Sequence, residues 1–358
     1  MGLLAALALL GASRPVLPAP AEELLLLYPS YLTWDAHAKA WRGEIRGRVY
    51  EPAFGPSRRA AVRAALGAVA DPTEDEQRIF ESRAEQFAYD SERGKRVAVT
   101  LRGRSFVSRP SRPTGQFAVQ VTLDEGADGA SIPFRARLDA EGAPEVEGVL
   151  RLVGTTGVSV ISDIDDTVKD SNVLDRSELV ANTFYREYRP VAGMPDLYGA
   201  WRDQGVAVHY LTASPWQLFP ALWEFLAGSG LGGISIDMRE VRLRDRTALD
   251  LLRDPRPYKT RLLREILQRF PARSFVLVGD SGEHDPEIYA SAAREHPHAV
   301  RAIFIRAVTE AHRDPARYTP VFAGLGRTRW TVFGEPAVLP RDLAGWLRGE
   351  DAVADPVP

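Results

Sequence analysis

Two carboxylates separated by one residue stand at the end of a strongly apolar stretch of this chain. Residues 158–162, Val-Ser-Val-Ile-Ser, are rich in β-branched side chains and predict a buried β-strand, which Asp163 and Asp165 follow directly. In parallel α/β sheets the carboxyl ends of the strands border the ligand crevice. Because two carboxylates this close repel each other, burying both requires a shared cation or a shared proton. A solvated, aspartate-rich turn is the alternative interpretation.

Further polar residues follow other apolar stretches of the chain. Residues 206–211 and 275–278 predict two more strands, and residues 260–267 predict an amphipathic helix. The polar or small residues at the ends of these elements are, in chain order, Thr212, Ala213, Ser214, Lys259, Asp280, Glu283 and Asp285. Taken singly, each has an ordinary interpretation as a strand end, a solvated helix residue or a turn former. Their joint order after strands favours one shared site.

The chain thus has four motifs in order: a strand followed by Asp-x-Asp-x-Thr, a strand followed by Thr212, the single Lys259, and a strand followed by Gly-Asp-x-x-x-x-Asp. This order resembles the signature motifs of the haloacid-dehalogenase-like phosphohydrolases. The segments DIDDTVKDS (163–171), YLTASPWQLFP (210–220) and FVLVGDSGEHDPEIY (275–289) further resemble the actin-patch-associated phosphatidate phosphatase family, distant relatives of the lipins. The resemblance covers roughly residues 158–310. It implies an α/β fold with a haloacid-dehalogenase-like Rossmannoid parallel sheet. The resemblance is to a bacterial-type member of the family. The recruitment tails of eukaryotic members are not visible in the sequence, which leaves lipid specificity open.

The resemblance implies a Mg²⁺-dependent phosphatase that works through an aspartyl-phosphate. Asp163 would be the nucleophile, and Asp165 would protonate the leaving alcohol and then take a proton from water. The implied Mg²⁺ ligands are a carboxylate oxygen of Asp163, the backbone carbonyl of Asp165, and Asp280. Oxygen ligands of this kind are those that Mg²⁺ prefers.

The same resemblance implies which residues hold the phosphate. Thr212, with backbone N–H groups near Ala213 and Ser214, would bind phosphate oxygens. Lys259 would offset the negative charge of the phosphate and of Asp163. Ser214 stands where lipin-like relatives carry arginine, so it would shape contacts to the phosphate or the headgroup.

Three residues are expected to support the site. Thr167 would orient Asp165 or cap the adjacent turn. Asp285, and with less weight Glu283, would fix a metal-bound water or orient Lys259.

Several conspicuous side chains near these motifs have a plainer interpretation. Trp216, Leu218 and Phe219 could face lipid, but their helical spacing favours packing of a helix against the sheet. His209 and His284 are expected to serve packing and solvent contact rather than metal binding.

Composition limits the class of protein. The chain has 358 residues, 45% of them hydrophobic and 26% charged, with a formal net charge of -3 and no cysteine. This length suits two domains, each with its own core. The near-neutral charge gives no general attraction to nucleic acid, so no nucleic-acid partner is expected. Disulfides, thiolate metal sites and cysteine nucleophiles are excluded.

Four segments are predicted along the chain. Residues 1–21 form a candidate signal or leader segment with an Ala-Pro-Ala cleavage pattern, residues 22–154 a smaller β-rich, sandwich-like domain with a helical insert, residues 155–349 the catalytic domain, and residues 350–358 a disordered tail. Export to the periplasm or cell envelope and a cytoplasmic location both stay open.

Two connections bear on access to the site. The insert between Thr167 and Val206 is too short for a large cap domain. The segment from Gly228 to Pro257 is longer and irregular, and is expected to hold a small β-element bordering the pocket.

Three functions remain for comparison. The leading one is hydrolysis of phosphatidate to diacylglycerol and inorganic phosphate, which requires a phospholipid substrate and peripheral membrane contact. The alternatives are a phosphatase for soluble or protein-borne phosphomonoesters, and a non-catalytic phosphatidate-binding module, against which intact Asp163 and Asp165 argue. The amino-terminal domain is expected to dock at a membrane or partner. The rival view is that it buries one face of the catalytic sheet.

Overall fold

A computed structural model describes residues 23–52, 64, 69–240 and 256–349. The predicted leader and the predicted disordered tail lie outside these residues, so both stay predictions. Within the described ranges, no helix combines the length and the apolar character needed to cross a membrane.

The amino-terminal part is β-rich, as predicted. Its described elements are β1 (Leu24–Leu27), β2 (Ser30–Asp35), β3 (Ala40–Glu51), α1 (Glu74–Ala88), β4 (Asp90–Ser91), β5 (Val97–Leu101), β6 (Arg104–Val107), β7 (Gln116–Leu123), β8 (Ser131–Leu138) and β9 (Val146–Val153). The helical insert was expected from Pro56 to about Gln86, and α1 occupies the carboxyl-terminal part of that stretch. A capping box between Thr73 and Glu76 fixes its first turn.

The strands of this part belong to one curled sheet. Their order is β1-β3-β2-β9-β8-β5-β6, with β4 and β7 also paired to β3, and every pairing is antiparallel except the parallel pair β2–β9. The edge strand β6 comes to lie against β7. Alternating apolar residues point inward and form one core, for example Ile45, Val99, Val119 and Phe134. The predicted sandwich-like region is therefore a single sheet folded over its own core.

The carboxyl-terminal part is a parallel sheet flanked by helices. Its strands are β10 (Val158–Ser162), β11 (Ala207–Pro215), β12 (Ser235–Arg239), β13 (Ser274–Asp280), β14 (Val300–Arg306) and β15 (Arg329–Phe333). Its α-helices in the described residues are α2 (Arg176–Val180), α3 (Met194–Asp203), α4 (Phe219–Gly228), α5 (Arg256–Arg269), α6 (Asp285–Glu295), α7 (Thr319–Phe322) and α8 (Leu343–Arg348). A π-helical turn covers Ala181–Tyr185, and short 3₁₀ turns cover Trp216–Leu218, Glu310–Arg313, Pro315–Arg317 and Pro336–Val338.

The strand order of the parallel sheet determines where a crevice can open. The order is β12-β11-β10-β13-β14-β15, and the pairings are parallel throughout. The chain runs outward from β10 through β11 and β12, and then returns to the other side of β10 with β13. Beyond the carboxyl ends of β10 and β13 lies the switch point, where ligands of open α/β sheets bind. The chain is thus a mixed α/β protein with a parallel sheet and an antiparallel β-rich region.

Of the two expectations about connections near the site, the first agrees with the structure and the second agrees only in part. Between Thr167 and Val206 the chain holds only α2, the π-helical turn and α3, in agreement with the absence of a large cap. The β-element expected between Gly228 and Pro257 is β12, which is the edge strand of the main sheet rather than a separate element. Residues 241–255 lie outside the described part.

The amino-terminal part packs tightly on the parallel-sheet part. Phe80 and Phe87 of α1 are buried in one core with Val160 of β10 and Phe184, and the ring of Phe80 stacks on Tyr185 at 4.6 Å. These contacts favour the view that the amino-terminal part buries apolar surface of the parallel-sheet part. A fragment starting near Gly154 would expose this surface, so we do not expect it to fold as stably as the whole chain.

Phe80→Ala tests this coupling. We expect it to lower the free energy of unfolding by about 3–5 kcal/mol, because a fully buried ring between the two parts would leave a cavity. Chemical denaturation measures the change, with Phe106→Ala as the matched control, since Phe106 is only half-buried at the edge of the amino-terminal core. Equal losses in the two variants would contradict the packing described here.

Candidate active site

The switch point brings together acidic residues from two neighbouring strands. Asp163 follows β10, and its backbone N–H donates to the carbonyl of Val278 in β13 at 2.9 Å. Ser162 pairs with Val278, so the two strands end side by side and Asp280 closes β13 next to Asp163. Both carboxylates are buried, at 1% and 0% exposure.

A buried lysine from α5 stands among these acids. The Nζ of Lys259 lies 2.9 Å from Oδ1 of Asp163, 2.8 Å from Oδ1 of Asp285 and 3.0 Å from Oε2 of Glu283. The predicted amphipathic helix holds it there, because Leu263 and the other apolar residues of the same face are buried against the sheet. The roles expected for Asp285 and Glu283 included orienting Lys259, and both side chains contact its ammonium group.

This cluster contains more acidic side chains than basic ones. Four carboxylates, those of Asp163, Asp280, Glu283 and Asp285, lie around the single ammonium of Lys259. Burial, together with repulsion from neighbouring carboxylates, raises the pKa of Asp163 and of Asp280 well above the ordinary value. Burial alone would lower the pKa of Lys259, but the surrounding carboxylates outweigh it and raise that pKa. The cluster therefore has room for a further positive charge.

Two oxygen atoms identify where a cation fits. Oδ2 of Asp163 and Oδ2 of Asp280 are buried and have no hydrogen-bond partner among the described residues. Asp163, Asp280 and Asp285 each offer a carboxylate oxygen within 4.8 Å of the others. Asp285 already uses its oxygens on Lys259 and on the backbone N–H of Asp280. The donor set is all oxygen and suits Mg²⁺, and Asp163 and Asp280 are the side chains free to hold it.

Asp165 faces a different set of partners. Its Oδ1 lies 2.8 Å from Nζ of Lys169 and accepts from the Ser171 hydroxyl at 2.8 Å. Its Oδ2 accepts from the hydroxyls of Ser214 at 3.0 Å and Thr212 at 3.3 Å. Burial alone would raise the pKa of Asp165, but Lys169 and the hydroxyl donors outweigh it and hold the pKa at about 2. Asp165 is thus held by Lys169 and by hydroxyl donors, which are different partners from those of the buried carboxylates around Lys259.

The end of β11 lies beside Asp165, as the motif order predicts. The Thr212 hydroxyl is buried, and it also accepts from the backbone N–H of Ser214 at 3.0 Å. Ala213 and Ser214 are half-buried, so atoms at this strand end remain accessible from the crevice. The structure therefore gathers Asp165, Thr212 and Ser214 into one group beside the carboxylate cluster.

Thr167 does not orient Asp165 in this structure. Its hydroxyl is buried and makes no hydrogen bond within the described ranges. The turn is held instead by the carboxylate of Asp166, which accepts from the backbone N–H groups of Ser171, Asn172 and Val173 at 2.6–2.8 Å. Asp166 also adopts a positive φ of 52°. Its carboxylate therefore shapes the loop and is directed away from the crevice.

Sequence reasoning missed Lys169 and Ser171. Lys169 is 1% exposed, contacts the Ser171 hydroxyl as well as Asp165, and lies 4.9 Å from the ring centre of Tyr188. The guanidinium of Arg83 in α1 also contacts that ring, 3.8 Å from its centre. The available signal was a lysine four residues after Asp165, close enough to fold back on it. The contact of Arg83 with Tyr188 could not be read from spacing.

The side chains given a plainer interpretation pack as expected. Leu218 and Phe219 are buried in the core that α4 shares with the sheet, and Trp216 stacks on Tyr28 at 4.2 Å. His209 is buried, and burial lowers its pKa to about 3. His284 is exposed.

Comparison with known proteins gives one family match. Residues 158–307 match the model described as phosphatidate phosphatase APP1, catalytic domain. The matched range begins with β10 and includes each of the acidic, threonine and lysine residues described above.

Two curated relatives are similar to part of this chain. The chain is 29% identical over 200 residues to phosphatidate phosphatase APP1 of Saccharomyces cerevisiae, covering 55% of this chain and 32% of the relative. It is 32% identical over 157 residues to an uncharacterized protein of Schizosaccharomyces pombe, covering 42% of this chain and 25% of the relative. The chain therefore spans between a quarter and a third of the length of these relatives.

The similarity of this chain to solved structures is weak. The PilB minor pilin from Streptococcus sanguinis aligns over 68% of this chain and 84% of its own, with 9% identity and a TM-score of 0.23. That TM-score is too low to support a shared fold. The family match stands on sequence: over residues 158–307 this chain is similar to the catalytic domain of phosphatidate phosphatase APP1.

Proposed function

We propose that this chain is a Mg²⁺-dependent phosphatase that hydrolyses phosphatidate through an aspartyl-phosphate on a haloacid-dehalogenase-like domain. The observation that carries the proposal is the buried pair Asp163 and Asp280, each with an unpartnered carboxylate oxygen, with Lys259 in contact with Asp163. The similarity to the catalytic domain of phosphatidate phosphatase APP1 supports a phosphoric monoester hydrolase. Mg²⁺, when bound by Asp163 and Asp280, would neutralise charge between the nucleophile and the phosphate.

The residues around the crevice divide the proposed chemistry among them. A carboxylate oxygen of Asp163 attacks phosphorus, and the bond from phosphorus to the leaving oxygen breaks. Lys259 holds Oδ1 of this carboxylate at 2.9 Å, which fixes the orientation of the nucleophile. Water then cleaves the aspartyl-phosphate, which regenerates the Asp163 carboxylate and releases phosphate.

Asp165 handles the proton in both steps. With a pKa of about 2 it is ionised, which suits its second task of accepting a proton from the attacking water. For the first task it must carry a proton to the leaving oxygen. A phosphate dianion arriving beside Asp165 raises the pKa of the carboxyl, because the two negative charges repel. Lys169 and Ser171 keep the carboxylate in place meanwhile.

The choice of phosphatidate rests on the similarity to APP1. The short connection between Thr167 and Val206 does not itself form a large cap, which is compatible with a bulky or membrane-embedded substrate. Peripheral contact with a membrane is part of this proposal, and nucleic acid has no part in it. A phosphatase for soluble or protein-borne phosphomonoesters shares the same catalytic residues. A non-catalytic phosphatidate-binding module would not need Asp163 and Asp165 intact.

A substrate panel separates these functions. Release of inorganic phosphate is measured with and without Mg²⁺ from phosphatidate in mixed micelles, from glycerol 3-phosphate and from a phosphopeptide. The proposal predicts Mg²⁺-dependent release that is fastest from phosphatidate. Faster release from the soluble esters would establish the first alternative. Binding of phosphatidate without any release would establish the second.

Asp280→Ala addresses the metal. We expect the Mg²⁺ concentration for half-maximal activity to rise roughly tenfold or more, because a hard cation loses one of few protein carboxylates. Titration of phosphate release against Mg²⁺ measures the change, with Asp170→Ala as the control, since Asp170 is exposed. An unchanged half-saturating concentration would remove Asp280 from the ligand set.

A further inference from the structure

A second cavity lies at the edge of the parallel sheet opposite the carboxylate cluster. Its volume is about 310 Å³, and it is bordered by the starts of β11 and β13 and by the end of β9. The carboxylate cluster lies at the other ends of the same strands. Since a strand rises about 3.3 Å per residue, the five residues of β10 separate the two sites by roughly 15 Å.

The cavity is lined by three arginines and one carboxylate. Arg151 comes from the β-rich part, Arg202 from the end of α3, and Arg273 from the residue before β13, while the carboxylate is that of Asp128. None of the three guanidinium groups forms a salt bridge within the described residues, and Asp128 uses Oδ1 to accept from the backbone N–H of Gly154 at 2.6 Å. The lining therefore carries an excess of positive charge.

Backbone carbonyls hold the arginines in position. Arg273 is 4% exposed, and its guanidinium donates to the Ser159 hydroxyl at 2.8 Å and to three carbonyls of residues 154–158. Arg202 donates to the carbonyls of Gly232 at 2.9 Å and Gly230 at 2.5 Å. Carbonyl groups orient a guanidinium but do not neutralise its positive charge.

The arginines that line the cavity keep N–H groups that can donate hydrogen bonds to a ligand. A guanidinium has five N–H groups. Arg202 uses two of its nitrogens on carbonyls, and Arg151 uses one, on the carbonyl of Gly129 at 3.2 Å. Gly129 and Gly205 also line the cavity, and the space where a Cβ would stand is open at both, so ligand atoms can approach the backbone closely there. Oriented arginines with free donors suit the planar, bidentate recognition of oxyanions.

We propose that this cavity binds a phosphate group, either as free orthophosphate or as part of a phosphate ester, at a site separate from the carboxylate cluster. Its volume is at the lower end of that of ligand cavities, which suits a headgroup-sized anion rather than a lipid with its acyl chains. The phosphate could come from free orthophosphate, from a soluble phosphomonoester or from the headgroup of a phosphatidate. The arginine chemistry is the same for all three.

Isothermal titration calorimetry on the full chain tests this proposal. The titration is run in EDTA, so that the unneutralised carboxylates of the other site repel phosphate. The ligands are orthophosphate, glycerol 3-phosphate and dioctanoyl phosphatidate, with malonate as a carboxylate comparison. The variants are Arg202→Gln and Arg151→Gln, and the matched control is Arg135→Gln, whose guanidinium is exposed on β8.

We expect saturable binding of orthophosphate or glycerol 3-phosphate by the wild-type chain and by Arg135→Gln. Each cavity variant should weaken binding about tenfold or more, which is the loss of one charged hydrogen bond. Arg151 is exposed, so Arg151→Gln gives a folded variant even if Arg202→Gln disturbs the loop at Gly230. Binding of dioctanoyl phosphatidate alone would still place a phosphate in the cavity and would identify the lipid as its source.

Other outcomes would overturn the proposal. These are the absence of binding by any of the phosphate compounds, binding that Arg151→Gln and Arg202→Gln both leave unchanged, and malonate binding as tight as that of phosphate. Because the measurement uses no metal and no turnover, its failure would leave the proposed phosphatase activity untouched.

Discussion

Asp163→Asn should reduce the rate of phosphate release at least about a thousandfold, because an amide cannot form the acyl-phosphate. The protein should remain folded. Burial raises the pKa of Asp163, so its ionised form is disfavoured in the folded chain, and a neutral amide removes that cost. We therefore expect an equal or higher midpoint of thermal unfolding.

Asp170→Asn is the matched control for this variant. It makes the same substitution seven residues later in the same loop, where the carboxylate is exposed. Its rate and its unfolding midpoint should both match those of the wild type. If Asp163→Asn keeps more than a few per cent of the wild-type rate in the same assay, Asp163 is not the nucleophile.

Lys259→Met should strongly lower the stability of the protein. The change leaves four carboxylates, three of them buried, without the ammonium that contacts three of them. Removing one partner of a buried ion pair costs about 3–5 kcal/mol. We expect the midpoint of thermal unfolding to fall by roughly 10 °C or more.

Added Mg²⁺ should restore part of this stability in Lys259→Met, because a cation held by Asp163 and Asp280 offsets some of the repulsion. Thermal unfolding with and without excess Mg²⁺ measures the effect. Lys39→Met is the control, since Lys39 is exposed, and its midpoint should not change. A Lys259→Met variant as stable as Lys39→Met would mean that the carboxylates are not held together by this lysine.

The sequence predicted the elements that carry the candidate site. Strand-forming runs were predicted to end at Asp163, Thr212 and Asp280, and the parallel sheet places these residues at one edge, although β11 continues to Pro215. The amphipathic pattern after Lys259 correctly predicted a helix with its apolar face on the sheet. These predictions succeed because period and burial are local properties, which a single strand or helix displays in its own sequence.

Contacts between distant segments were not predictable in the same way. The stacking of Phe80 on Tyr185 and of Arg83 on Tyr188 joins α1 to the catalytic part across about a hundred residues. Nothing in the periodicity of α1 indicates which surface covers its apolar face. The pairing within the amino-terminal sheet was not predictable either, because strand alternation does not reveal that β3 pairs with strands on both of its edges.

The protonation of Asp165 also depended on a contact that the motif alone does not specify. Its expected role as an acid takes no account of Lys169, whose ammonium lies 2.8 Å away and keeps the carboxyl ionised. The interval of four residues permitted this contact, but a loop rather than a helix brings it about. The turn is built by Asp166 and its three backbone donors.

Chemical trapping of the intermediate tests the central claim most directly. The enzyme turning over phosphatidate with Mg²⁺ is quenched with acid and treated with borohydride, which reduces an acyl-phosphate to an alcohol, and the peptides are analysed by mass spectrometry. We predict that homoserine replaces aspartate at position 163 in the wild type and at no other position. Turnover that leaves position 163 unmodified while another carboxylate is reduced would contradict the account.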